Sequence, residues 1–93
     1  MKVGSFPKQP GERISNSITY EDALDEGDEV SSVLSCIAEP AGLTVTPVLA
    51  SESRVRIWAE GGSDGTTYKI TLSVLTAGGE IFEDELTCKV RAI

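Results

Sequence analysis

Apolar and polar residues alternate most regularly between Gly61 and Arg91, in GGSDGTTYKITLSVLTAGGEIFEDELTCKVR. Tyr68, Ile70, Leu72, Val74 and Thr76 share one parity, while Thr67, Lys69, Thr71, Ser73 and Leu75 hold the other. A period of two over that length predicts a half-buried strand. The pattern resumes with Phe82, Leu86, Cys88 and Val90 on one face, where Asp84 is the polar exception. Glu83, Glu85, Thr87, Lys89 and Arg91 point the other way. Between the two runs, Gly78-Gly79 can adopt the positive φ that a two-residue hairpin turn requires. A lone hairpin is marginal in water, so the rest of the chain must supply a second layer.

Four more strands are predicted upstream. Residues 12–20 alternate weakly through Ile14 and Ile18, which suits an edge strand. Thr19 and Asp22 have capping-box spacing and predict one helical turn ending near Gly27. Residues 30–38 set Val33 and Ile37 on one parity and Leu34 and Cys36 on the other; apolar content on both faces suggests a central strand. Residues 43–50 carry Pro47, which cannot donate to a ladder and so marks an edge or a bulge. Residues 54–60 turn Val55, Ile57 and Ala59 inward and Arg54, Arg56 and Glu60 outward. Trp58 falls with the arginines. Either it lies under the N-terminal segment and completes the core, or it stays exposed as a contact surface. Strands at spacings of roughly 10–12 residues are the pattern of a sandwich.

Residues 1–11 hold Gly4, Pro7, Pro10 and Gly11 but only Val3 and Phe6 as large apolar residues. The expectation is an extended arm ahead of a domain at 12–93, either frayed or ordered on a neighbouring subunit. A segment that merely frays has no need of Phe6, so Phe6, Pro7, Lys8 and Pro10, together with Trp58, are the candidate partner-binding residues.

Composition narrows the chemistry. A chain of 93 residues is one domain, burying about 60–65% of its unfolded surface, with no room for a deep active site. The net charge of −7 argues against nucleic acid and anionic membranes. No apolar run approaches the ~20 residues of a spanning helix. The start of the chain lacks the apolar core of a signal peptide, so synthesis in the producing cell's cytoplasm is expected. There are no histidines, which removes the commonest general base and most zinc sites. Acids concentrate in EDALDEGDE, residues 21–29, without calcium-loop spacing, and read as a solvated turn. Glu83 and Glu85 face away from Asp84, so they cannot converge as an acid–base pair; Lys69, Arg54 and Arg56 are their expected partners across the sheet. The expectation is no catalytic residue, no metal and no cofactor. Cys36 and Cys88 could form an inter-sheet pair or remain two small buried thiols.

The strings WAEGGSDGTTY, TAGGE and a final KVR resemble small immunoglobulin-like structural proteins of tailed bacteriophages. GTTY looks like the tyrosine-corner region of such sandwiches. FPKQPGE, then Leu24, Gly27 and Asp28, then Pro40, Gly42, Leu43 and Val45, are similar to the motifs of phage fiber-tail adaptors, and the likeness covers most of the chain. Cys36 and Cys88 stand where that family would place small apolar residues, which favours the thiol reading. The resemblance implies an immunoglobulin-like β-sandwich of about six to seven strands with an extended N-terminal arm. It further implies a non-enzymatic virion protein, made in the host cytoplasm, that joins tail or fiber components in multiple copies. Alternatives are a capsid decoration protein, an immunoglobulin-like module of a bacterial adhesin and, wanting more aromatics than are present, a carbohydrate-binding module.

Overall fold

The computed structural model describes residues 2–93; Met1 of the N-terminal segment, and the side chains of Lys2 and Val3, lie outside the described residues. The chain is all-β: β1 (Lys2–Lys8), β2 (Arg13–Thr19), β3 (Val30–Glu39), β4 (Leu43–Ser51), β5 (Arg54–Gly61), β6 (Thr67–Thr76) and β7 (Ile81–Val90). They form a four-stranded sheet in the order β1-β7-β6-β3 and a three-stranded sheet in the order β2-β5-β4. All pairings are antiparallel except β1 with β7. Taken in chain order, β2, β5 and β4 occupy one sheet and β3, β6 and β7 the other, which is the immunoglobulin arrangement.

The core lies between the sheets, built from the inward parities of β5, β6 and β7. Val55, Ile57 and Ala59 are fully buried, as are Ile70, Leu72, Val74, Cys88 and Val90. Tyr68 is 1% exposed, and its hydroxyl accepts a hydrogen bond of 2.9 Å from the Ser63 amide five residues upstream. That is the tyrosine-corner contact at the start of the sixth strand. Gly62, at φ +94°, lets the chain pass under this ring: a Cβ there would sit 2.9 Å from a Val90 methyl.

Several expectations are corrected. The segment read as an arm is, over Lys2–Lys8, an edge strand of the sandwich itself, running parallel to β7 from Lys2 opposite Glu85 to Lys8 opposite Val90. Its Gly and Pro content concealed it. Proline is tolerated there because β1 is an outer strand, and Phe6 enters the core. Strand β3 is an edge, not a central strand. Register shifts between Val30 and Ser32, and between Val33 and Ser35, break its parity. Val33, Cys36 and Ala38 therefore pack on the core, while Leu34 and Ile37 are exposed. Residues 21–29 contain turns but no assigned helix, with the amides of Ala23 and Leu24 both donating to the Tyr20 carbonyl. In the β6–β7 turn only Gly79 has positive φ, because Thr76 pairs with Glu80 around a longer loop than two residues.

The cysteines are free and lie on one sheet, with β6 between them. Cys36 is opposite Leu72 and Cys88 is opposite Tyr68, so they are separated by two strand spacings and four residues of stagger. That is roughly 10 Å by 13 Å, beyond the reach of a disulfide.

Candidate interaction surface

The residues expected to meet a partner fall into two groups. Phe6 is 7% exposed and Lys8 is 2% exposed. The Lys8 ammonium donates to three carbonyls, Gln9 at 2.8 Å, Pro10 at 3.3 Å and Gly61 at 2.6 Å. Phe6 is thus largely covered by the fold and the Lys8 ammonium is engaged with backbone, so both hold β1 in its sheet. Pro7 is exposed and Pro10 half-buried, as is Trp58.

Pro7 and Lys8 line a concavity of about 580 Å³ at one end of the sandwich, with Glu12, Ile14, Lys89, Arg91 and Ile93. Its floor is fixed by backbone. The Arg91 amide donates to the Lys8 carbonyl, and a Gln9–Glu12 turn closes the β1–β2 link.

Trp58 is on the outer face of the three-stranded sheet, as parity requires, and not in the core. The reading that placed it under the N-terminal segment is corrected: β1 belongs to the other sheet. The Arg13 guanidinium carbon lies 4.3 Å from the Trp58 ring centroid, and that of Arg56 lies 5.8 Å away. Register explains the clamp. Arg13 stands opposite Glu60, two residues beyond Trp58 on β5, and Arg56 stands two residues before it. Arg54 continues the row, flanked across the sheet by the short side chains of Ser15, Ser17, Thr19, Thr44 and Thr46 and by the exposed Val48 opposite Arg56. Among the described residues, Arg13 and Glu60 form an ion pair at 3.9 Å, with both side chains more than half exposed. Parity already put Arg54 and Arg56 beside Trp58. Arg13 could be added only once the pairing of β2 with β5 was known.

The opposite end of the molecule is acidic. The Asp28 carboxylate accepts from the Glu29 and Gly78 amides, tying the 21–29 turn to the β6–β7 turn. These bonds, the Glu29 amide first, hold its pKa below the ordinary carboxyl value. The nearby charge of Asp25 pushes Glu80 upward. On β7 the carboxylates diverge as expected, Asp84 inward and Glu83 and Glu85 outward. Arg54 and Arg56 cannot serve Glu83 and Glu85, because they occupy the outer face of the other sheet. Buried Tyr20 stacks on Phe82 at 5.7 Å. Burial first, and then the Asp84 charge, raise the Tyr20 pKa well above its usual value; the two groups couple without a well-formed hydrogen bond.

A family model described as "Podophage GP4 fiber-tail adaptor protein gp77" matches residues 8–89. The chain belongs to the podophage fiber-tail adaptor family. The match runs from the end of β1 to the end of β7 and so spans nearly the whole sandwich. As a member of that family the protein is a virion component of the tail and fiber apparatus. No curated protein matches the sequence. Among solved structures, the solution structure of amebosin is similar over 97% of this chain and 96% of its own, at 11% identity and a TM-score of 0.44. So slight a likeness adds nothing to the assignment.

Proposed function

We propose that this fiber-tail adaptor protein is a non-enzymatic connector, joining tail and fiber components through protein–protein contacts and present in several copies in a symmetric assembly. It is made in the host cytoplasm and assembled there. The observation that carries this is the family match over residues 8–89. The elongated shape, 44 × 19 × 17 Å, with distinct surfaces along its length, supports the reading. Pro7, Pro10 and Trp58 are the contact residues we assign to partners, while Phe6 and Lys8 anchor the strand that carries Pro7.

Phage lacking the gene provide the test. Particles made without the protein should lack fibers in negative-stain micrographs, and adding the purified chain should restore fiber attachment and infectivity. Fully fibered particles in its absence would refute the connector reading. Loss of head integrity, with fibers retained, would support the decoration role instead.

A further inference from the structure

We infer that the outer face of the β2-β5-β4 sheet, centred on Trp58, docks an acidic protein surface, with Arg13, Arg54 and Arg56 engaging its carboxylates. This rests on the connector reading and names the chemistry of one of its contacts.

The face is cationic on a chain of net charge −7, three arginines against Glu60. Arg54 and Arg56 leave the same side of one strand, about 6.7 Å apart, a spacing that alternate carboxylates on a facing strand would match. The side chains opposite them are small, Ser17 and Thr19 on β2 and Ser51 and the exposed Val48 on β4, which keeps the plane flat and the guanidinium groups accessible.

Trp58 prepares the arginines. A guanidinium over an aromatic face keeps its five N–H donors in its own plane, so Arg13, 4.3 Å from the ring centroid, can donate bidentately to a carboxylate while it stays there, and Arg56 lies within cation–π reach at 5.8 Å. The ring also fixes side chains that would otherwise have to be ordered on binding. Arginine and tryptophan together at the centre of a face are the residues that concentrate binding energy in interfaces. Arg13 exchanges a loose 3.9 Å contact with Glu60 for a new partner.

The pattern favours a protein over a nucleic acid. Phosphate tracks need an extended run of cations. Here Glu52 precedes Arg54 by two residues, and Glu21 follows Tyr20, whose amide donates to the Ser53 carbonyl, so acids border the patch. The two guanidinium groups approach the ring from opposite directions along β5, which leaves it a poor platform for a base or a sugar.

Trp58 is the only tryptophan, so its fluorescence reports occupancy directly. The purified protein is titrated at low salt with an eight-residue peptide alternating Glu and Thr, with the matching Lys–Thr peptide, and with a single-stranded oligonucleotide. The Glu peptide should change the emission saturably, more weakly as salt rises, and the Lys peptide should not. Arg54→Glu with Arg56→Glu should weaken the response at least about tenfold. The two-site control Lys69→Glu with Lys89→Glu, an equal charge change on the other sheet, should alter it less than about twofold. Circular dichroism confirms that both variants fold. No saturable response, equal loss in both double variants, or tighter binding of the oligonucleotide would overturn the inference. Self-association of the wild type that the arginine variant lacks would overturn it in favour of a second copy as occupant. Failure here leaves the fiber-attachment test unaffected, so the two claims are judged separately.

Discussion

Replacing Phe6 by alanine distinguishes a strand that belongs to the sandwich from an arm laid against it. A phenylalanine withdraws about 200 Å² on burial, which at ~25 cal/mol per Å² is ~5 kcal/mol. A denatured chain that already hides part of this surface lowers the figure to ~3–4.5 kcal/mol. Phe6 is 7% exposed and sits on an edge strand that can partly close over the gap. The lower end of the Phe→Ala range, ~3 kcal/mol, is therefore expected. For 93 residues the whole stability is of order 5–14 kcal/mol, so the loss is a large fraction. It should lower Tm by about 12–24 °C at ~4–8 °C per kcal/mol. Thermal and urea unfolding, followed by circular dichroism and Trp58 emission, measure it. Pro7→Ala, one residue along and exposed, should stay within ~0.5 kcal/mol. A Phe6→Ala variant less than ~1 kcal/mol below wild type would show that β1 is not part of the folded unit.

Three further outcomes are expected. Gly62→Ala combines positive φ with a Cβ 2.9 Å from a Val90 methyl, and should cost more than the ~1 kcal/mol of conformational strain alone, read by urea unfolding. The Asp28 carboxyl has a folded pKa below its unfolded one, so the unfolded chain binds more protons in acid. Its contribution is present above about pH 4 and is lost as pH falls through the lower, folded value. Asp28→Ala should thus reduce stability at pH 7 and flatten the acid limb of a Tm–pH profile. Burial pushes the Cys36 thiol up to about 11 and raises Cys88. At pH 8 roughly one Cys36 thiol in a thousand is then ionised, so thiol reagents should label both cysteines slowly in the native protein and rapidly in denaturant.

Strands β6 and β7 were legible residue by residue, because each has one face on the core and one in water, and an unbroken period of two survives into the structure. Even Asp84 was correctly placed on the inward side by parity. That Tyr20, just past the end of β2, comes close enough to feel its charge is something no local pattern announces. Strand β3 was misplaced because two bulges each add a residue, turning a period of two into a spacing of three for Val33 and Cys36. Strand β1 was hidden by its Gly and Pro residues. The signal it does carry is Phe6 and Lys8 two apart, the spacing of an inward face. Trp58 shows the reverse: plain parity puts it on the outer face, where it is found, despite its large apolar area.

The account stands or falls on where the protein sits in the particle and how often. Quantitative mass analysis of purified virions, fractionated into heads and tails, should find the chain in the tail fraction. Its copy number should be about a dozen or fewer, as a closed ring of subunits allows. Its absence from purified particles, or hundreds of copies on the head, would contradict the assignment of a tail connector.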